Sequence, residues 1–328
     1  MPRQVLVLHK YEPLTPTLLV QLAAPHTWPA AIMPTLVGTA AALHSVGEIS
    51  VPLVIAILAI VVCMQSAVNT FNDYADFKKG ADTAENQVDK NDAVLVFHNV
   101  NPKSVKRYAI SLVVLAFCIG AYVIYKAGWI PLLLGVVGAV VLFLYSGGKV
   151  PISYLPIGEF MSGFTMGTLI LVATYQALTL HLSWEVFVWS IPLLIGIGLT
   201  LMTNNTCDIE KDIEAQRKTL SVLVGREKAR KLYHLFFYCM IIAVVVLAAL
   251  WWQKGLIVVP FMLLALYPFG KALLANPLIL STRVAAMTQI LTVNVVVGTF
   301  FAAIILQVNS WVNFRKTPRY SYSAKTMG

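Results

Sequence analysis

Charge is what this chain has least of. Asp, Glu, Lys and Arg make up 12% of its 328 residues, against 58% hydrophobic ones, and that ratio excludes an ordinary water-soluble domain. Cysteine is also sparse. Cys63, Cys118, Cys207 and Cys239 stand singly, with no CxxC pair, so the pattern supports neither a thiolate metal centre nor a dense disulfide framework. The opening "MPRQVLVLHKYEPL" holds too short an apolar run for a secretory signal, and the first hydrophobic span is therefore expected to be retained.

Long apolar runs are what the chain has in abundance. Nine of them, at about 17–44, 51–71, 105–126, 129–146, 157–180, 184–205, 230–252, 255–274 and 284–308, are each long enough to cross a hydrocarbon core about 30 Å thick as a helix. Their hydrophobicity is continuous rather than alternating, which selects helices over a barrel. The expected fold class is all-α, a polytopic membrane protein of about nine transmembrane helices forming one domain over residues 1–328.

With the N-terminus placed in the cytoplasm, 18 of the 24 Lys and Arg fall on the cytoplasmic side, the bias that orients membrane proteins. The basic tail at 310–328 would then lie outside. The formal net charge of +9 is accounted for by anionic membrane lipid and calls for no nucleic acid.

The acids are clustered. Of fifteen, six lie between residues 73 and 92 and five between 208 and 227, in the loops after the second and sixth spans (73–104 and 206–229). Four crossings separate these loops, so both face the same side. Asn69, Asn72, Asp73 and Asp76 stand at i, i+3, i+4 and i+7, along one face of a helix prolonging the second span. Asn204, Asp208 and Asp212 stand at i, i+4 and i+8 and make a matching stripe. Gly80 is expected to end the first helix and let Asp82 turn back. An N-x-x-x-D pattern, Asn72/Asp76 and Asn204/Asp208, recurs at an offset of about 132 residues, which hints at two helical repeats.

Isolated loop carboxylates in water need no explanation, but stripes of them do. At an effective dielectric near 20, two like charges about 4 Å apart repel by about 4 kcal/mol, so either protons or divalent cations must neutralise them. Carboxylates and amide carbonyls without His or Cys suit Mg2+, which shares its shell with water and substrate phosphates.

With these residues assembled, the chain resembles the UbiA superfamily of intramembrane prenyltransferases, and most closely its MenA branch. "NDYADFKKGAD" (72–82) is similar to the first aspartate-rich motif of that branch, "NNTCDIEKDIEAQRKTL" (204–220) to the second, and "LYSGGKVPISYLPIGE" (144–159) to the segment joining spans four and five. The resemblance implies nine helices around a central cavity. It implies Mg2+ as cofactor, an isoprenyl diphosphate donor and a lipophilic or aromatic acceptor, in menaquinone-type quinone synthesis at the cytoplasmic face of the cell membrane. Asn72, Asp76, Asp208 and Asp212 carry over as metal ligands, with Asp73 and Asp82 as further candidates and Asp76, Asp208 and Asp212 as the catalytic set. Gly80 stands where the superfamily often has another Asp. Tyr145 and Lys149 match a Y-x-x-x-K element that contacts diphosphate; Asn69, Asn204, Arg217 and Lys218 are further substrate-binding candidates.

Ala24, Val94 and Cys207 stand where the branch usually has Arg, a departure that points to a different acceptor or a differently held donor. His98 is assigned no role. Two rivals remain. A cation transporter would carry acids inside its spans rather than at one end, and a phospholipid head-group transferase would carry a D-G-x-x-A-R signature, which is absent.

Overall fold

The computed structural model describes residues 11–79, 93–146 and 151–306. Its helices, in chain order, are α1 (Pro16–Ala23), α2 (Pro29–Val46), α3 (Val51–Lys79), α4 (Val94–Phe97), α5 (Pro102–Ala127), α6 (Ile130–Ser146), α7 (Gly158–Ser162), α8 (Ile170–Thr179), α9 (Trp184–Trp189), α10 (Ile191–Cys207), α11 (Ile209–Glu214), α12 (Leu220–Val224), α13 (Arg226–Trp251), α14 (Val259–Ala275) and α15 (Arg283–Leu306). Among the described residues, eight segments are long and apolar enough to cross a membrane; the shorter apolar stretch Ile130–Val141 of α6 falls on the fourth expected crossing, 129–146. The chain is an all-helical, multi-pass membrane protein.

The first expected span, 17–44, is not one helix. It breaks at Ala24, which adopts a left-handed backbone (φ 45°), a conformation that costs a non-glycine residue about 1–2 kcal/mol. Pro25 supplies the reason, since proline disfavours the right-handed helical region for the residue before it. The corner is held from α3: Asn69 Nδ2 donates to Ala23 O at 2.9 Å and Thr70 Oγ1 to Leu22 O at 3.1 Å. Trp28 Nε1 also donates to Ala23 O, at 3.1 Å.

The fifth and sixth spans are broken as well. A wide π turn over Gly163–Leu169 joins α7 to α8, and Ser190 separates α9 from α10. Close approach is the cause at Gly163: a Cβ there would stand 2.2 Å from the Leu194 carbonyl oxygen of α10. Small residues let membrane helices meet backbone to backbone.

The main core is built by α2, α8, α10, α13 and α15, with Leu171, Met202, Tyr233, Met240, Ile290 and Phe301 almost wholly buried. The end of this core farthest from the acidic segments is closed by aromatic rings. Trp252 packs against Trp189 (centroids 5.1 Å apart) and Phe301 (5.7 Å).

Candidate active site

The helix carrying the first acidic stripe runs on to Lys79, past the second span, as its spacing predicts. Its side chains have different fates. Asn69 is tied to the α1–α2 corner, donating also to Thr27 Oγ1 at 2.8 Å. Asp73 is buried, and its two oxygens accept from the backbone amides of Val94 (2.8 Å) and Leu95 (3.3 Å). It thereby caps α4 from a neighbouring helix, satisfying amides that a helix start leaves without partners. This geometry ties Asn69, expected to bind substrate, and Asp73, expected to bind metal, to neighbouring segments of the scaffold. Asn72 is exposed. The side chain of Asp76, together with Asp82 and Lys149, lies outside the described residues.

The second stripe also departs from one continuous helix, because α10 ends at Cys207 and α11 begins at Ile209. Its register nevertheless survives: Asp208 N donates to Asn204 O (3.0 Å) and Asp212 N to Asp208 O (2.9 Å). Asp208 faces α15, where Arg283 Nε stands 3.1 Å from its Oδ2. Arg283 also donates from Nε and Nη2 to Asn204 Oδ1, at 2.9 and 2.7 Å. Asp208 Oδ1 is buried with no hydrogen-bond partner.

Asp212 is nearly fully buried. It accepts from Arg217 Nη1 at 3.2 Å and Thr219 Oγ1 at 3.3 Å. Desolvation pushes its carboxyl above the ordinary aspartate range, and Asp208 adds to this, while Arg217 and Thr219 pull the other way. Arg217 in turn lies over the Tyr154 ring, 5.0 Å from its centroid, and Lys218 N donates to Tyr154 O at 2.8 Å. The Lys218 side chain is exposed. The 151–158 segment is thus stitched to the second acidic segment. Tyr145, half-buried near the end of α6, is close enough to Glu159, Arg217 and Asp212 to feel their charges.

Three participants were not singled out in the sequence: Arg283, which no motif covers, and Tyr154 and Glu159, which lie inside the 144–159 segment without a role assigned to them. Glu159 is buried and receives Asn205 Nδ2 on Oε1 at 2.9 Å. Arg283 lies at the start of the last span, the only local signal being a lone cation at a membrane end. It also lines a cleft of about 690 Å3 between the α1–α2 corner and α15, with Gln21, Ala24 and Thr27 on the opposite wall and Met287 and Leu291 along its apolar side. Of the positions expected to carry Arg, Ala24 lines this cleft, whereas Val94 and Cys207 are completely buried.

The donors fit a hard divalent cation in kind. They are carboxylate oxygens, one of them buried and unpaired at Asp208, and hard cations take oxygen ligands. Among the described residues no three His, Cys, Asp or Glu side chains converge as a ready-made metal cage, so the set from this half is Asp208 and Asp212.

Carboxylates, arginines and a tyrosine thus gather at one end of an apolar, membrane-spanning helical bundle. Residues 31–278 match the UbiA prenyltransferase family, and the chain belongs to that family. It is 37% identical over 212 residues to "1,4-dihydroxy-2-naphthoate octaprenyltransferase" of Bacillus subtilis, covering 65% of this chain and 67% of that one. It is 29% identical over 218 residues to human "UbiA prenyltransferase domain-containing protein 1", covering 65% and 63%. In fold it is similar to a UbiA homolog from Archaeoglobus fulgidus bound to GPP and Mg2+, with a TM-score of 0.61 at 16% identity, over 88% of this chain and 98% of that one.

Proposed function

We propose that this chain transfers a prenyl group, with Mg2+, from an allylic isoprenyl diphosphate to a hydroxylated aromatic acceptor at the cytoplasmic face of a membrane, in quinone synthesis of the menaquinone type. The single observation that carries this reading is the end of α10 and α11, where Asp208 and Asp212 stand with Arg283 and Arg217 beside them and one carboxylate oxygen is left unpaired. The likeness to the Bacillus subtilis octaprenyltransferase supports it, as does the likeness in fold to a homolog bound to GPP and Mg2+.

Asp208 and Asp212 would hold the metal, with Asp76 from α3. When bound, Mg2+ supplies positive charge against the diphosphate oxygens as the allylic C–O bond breaks. Arg217 and Arg283 contribute fixed donors to the same anion, and a guanidinium fork matches phosphate oxygens well. Tyr145 presents a ring face and a hydroxyl beside this charge cluster, suited to a developing cation. The cleft beside α15 has apolar walls for a prenyl chain, and keeping water out prevents hydrolysis of the cation.

The test is turnover by detergent-purified protein given Mg2+, allylic diphosphates of several lengths and a panel of hydroxyaromatics, with release of diphosphate and the mass of the lipid product as readouts. Metal-dependent product that disappears in Asp208→Asn and Asp212→Asn supports the reading. Folded protein that releases no diphosphate with any acceptor overturns it.

A further inference from the structure

Glu159 is a buried carboxyl with one oxygen that nothing on the protein satisfies. Oε1 is fixed by Asn205, but Oε2 is buried and has no hydrogen-bond partner. Such groups are rare in folded proteins, because an acceptor kept from water and left unpaired is costly. Where one persists beside a functional cluster, an absent ligand is the economical explanation.

The backbone that carries this side chain is fixed against α10. It lies so close that a Cβ at Gly198 would stand 3.2 Å from the Glu159 carbonyl oxygen, and the next turns of the segment are locked at Gly163 and Gly167. Asn205 then orients the carboxyl plane. Neighbouring residues on a helix point about 100° apart, and here Asn204 serves Arg283 while Asn205 serves Glu159. The Glu159 carboxyl is therefore anchored one helix face round from Asp208, and it is near enough to Tyr145 and Asp212 for their charges to interact.

Resting on the prenyl-transfer reading, we propose that Glu159 Oε2 is the docking point for a hydroxyl group of the aromatic acceptor. A hydroxyl suits this atom in either protonation state: it donates to a carboxylate and accepts from a carboxylic acid. Bonded there, the acceptor ring stands beside Tyr145 and next to the carboxylates and arginines that hold the diphosphate. A site built to bond a hydroxyl discriminates strongly against the analogue that cannot donate, because the buried group is again left unpaired.

The experiment measures binding of 1-naphthol and of its methyl ether, 1-methoxynaphthalene, to the full chain in detergent, without any donor. Wild type is expected to bind the naphthol at least tenfold more tightly than the ether. Glu159→Ala is expected to erase the difference, and Glu159→Gln, whose amide still bonds a hydroxyl, to retain part of it. Inorganic diphosphate with Mg2+ is expected to bind all three proteins within twofold. Equal binding of naphthol and ether by wild type means that only water reaches the oxygen and overturns the proposal. So does a naphthol preference that survives in Glu159→Ala, or a loss of diphosphate binding as large as the loss of naphthol binding. Should Glu159→Ala not fold, the wild-type comparison and Glu159→Gln decide: full retention of the wild-type preference in Gln with no change in affinity counts against the proposal. Failure of prenyl transfer itself would show separately, as absence of metal-dependent diphosphate release from an allylic donor by wild type.

Discussion

Arg283 Nε lies 3.1 Å from Asp208 Oδ2 while the same guanidinium clasps Asn204 Oδ1. A cation from the last helix thus occupies one face of a carboxylate proposed to bind a metal. Removing a positive charge so close to a divalent ion strengthens the ion's binding, yet it also removes a donor for the diphosphate. Arg283→Gln should therefore lower the Mg2+ concentration needed for half-maximal diphosphate release by about two- to tenfold, the scale of a partly exposed pair worth about 1 kcal/mol, while lowering maximal turnover. A metal requirement that rises in the variant would contradict this account.

Asp212 and Asp73 are both buried aspartates of the acidic segments, but their partners predict opposite phenotypes. Asp212 faces Arg217 and Thr219, and Asp212→Asn should cost at least a hundredfold in turnover with the fold retained. Asp73 holds the amides of Val94 and Leu95. Asp73→Ala strands these buried groups at about 1–3 kcal/mol each. It should lower the melting temperature in detergent, and the fraction that remains folded should keep its metal dependence. Activity of Asp73→Ala per folded molecule, measured against Mg2+, separates the two roles.

How much of this could be read from the sequence follows the range of each interaction. The crossings were legible because lipid demands continuous apolar runs, and the extension of α3 was legible because i, i+3, i+4 spacing is a local property. The break at Ala24 had a local signal in Pro25 and Pro29 that the apolar run masked. The wide turn at Gly163–Leu169 had one in the Gly163/Gly167 spacing. What a stripe faces is another matter. Asn69 and Asp73 share a helix face with the ligand candidates, and only tertiary contacts turn them to Ala23 and to α4. Arg283 and Glu159 meet their partners across 75 and 46 residues of chain, and spacing carries no trace of such pairs.

Glu210 and Arg226 form a clamp between α11 and α13, with Arg226 Nη1 and Nη2 donating to the carboxylate at 2.8 and 2.7 Å. Arg226 also reaches Leu278 O and Thr206 O. The hydrogen bonds from Arg226 draw the Glu210 carboxyl down to about 2 from an ordinary 4.5. A lowered acid stabilises the fold above its unfolded value and loses that contribution as pH falls through the folded value. The stability difference between wild type and Glu210→Gln should thus be constant from neutral pH to about 4.5 and shrink towards pH 2. Because the carboxylate is largely exposed, the difference should not exceed about 1 kcal/mol. Thermal melts of both proteins across that range check it; a difference that grows on acidification would refute the assignment.

Gly163 is the tightest helix contact near the site, its absent Cβ projected to 2.2 Å from Leu194 O. The obstacle is backbone, which cannot rotate away as a side chain does, so a methyl group must push the turn that follows α7 away from α10. Overpacking of this kind typically costs about 1–3 kcal/mol, and Gly163→Ala should lose at least that much. The consequence reaches the chemistry, because α7, directly before this turn, holds Glu159 against Asn205 of α10. Gly163→Ala should therefore weaken acceptor binding more than diphosphate binding in whatever fraction still folds, whereas Gly135→Ala, inside α6 with nothing within 4 Å of the added atom, should leave both affinities unchanged and stability equal or slightly higher. Melting temperature and the two binding constants, measured side by side on these variants, distinguish a general loss of packing from a displaced Glu159.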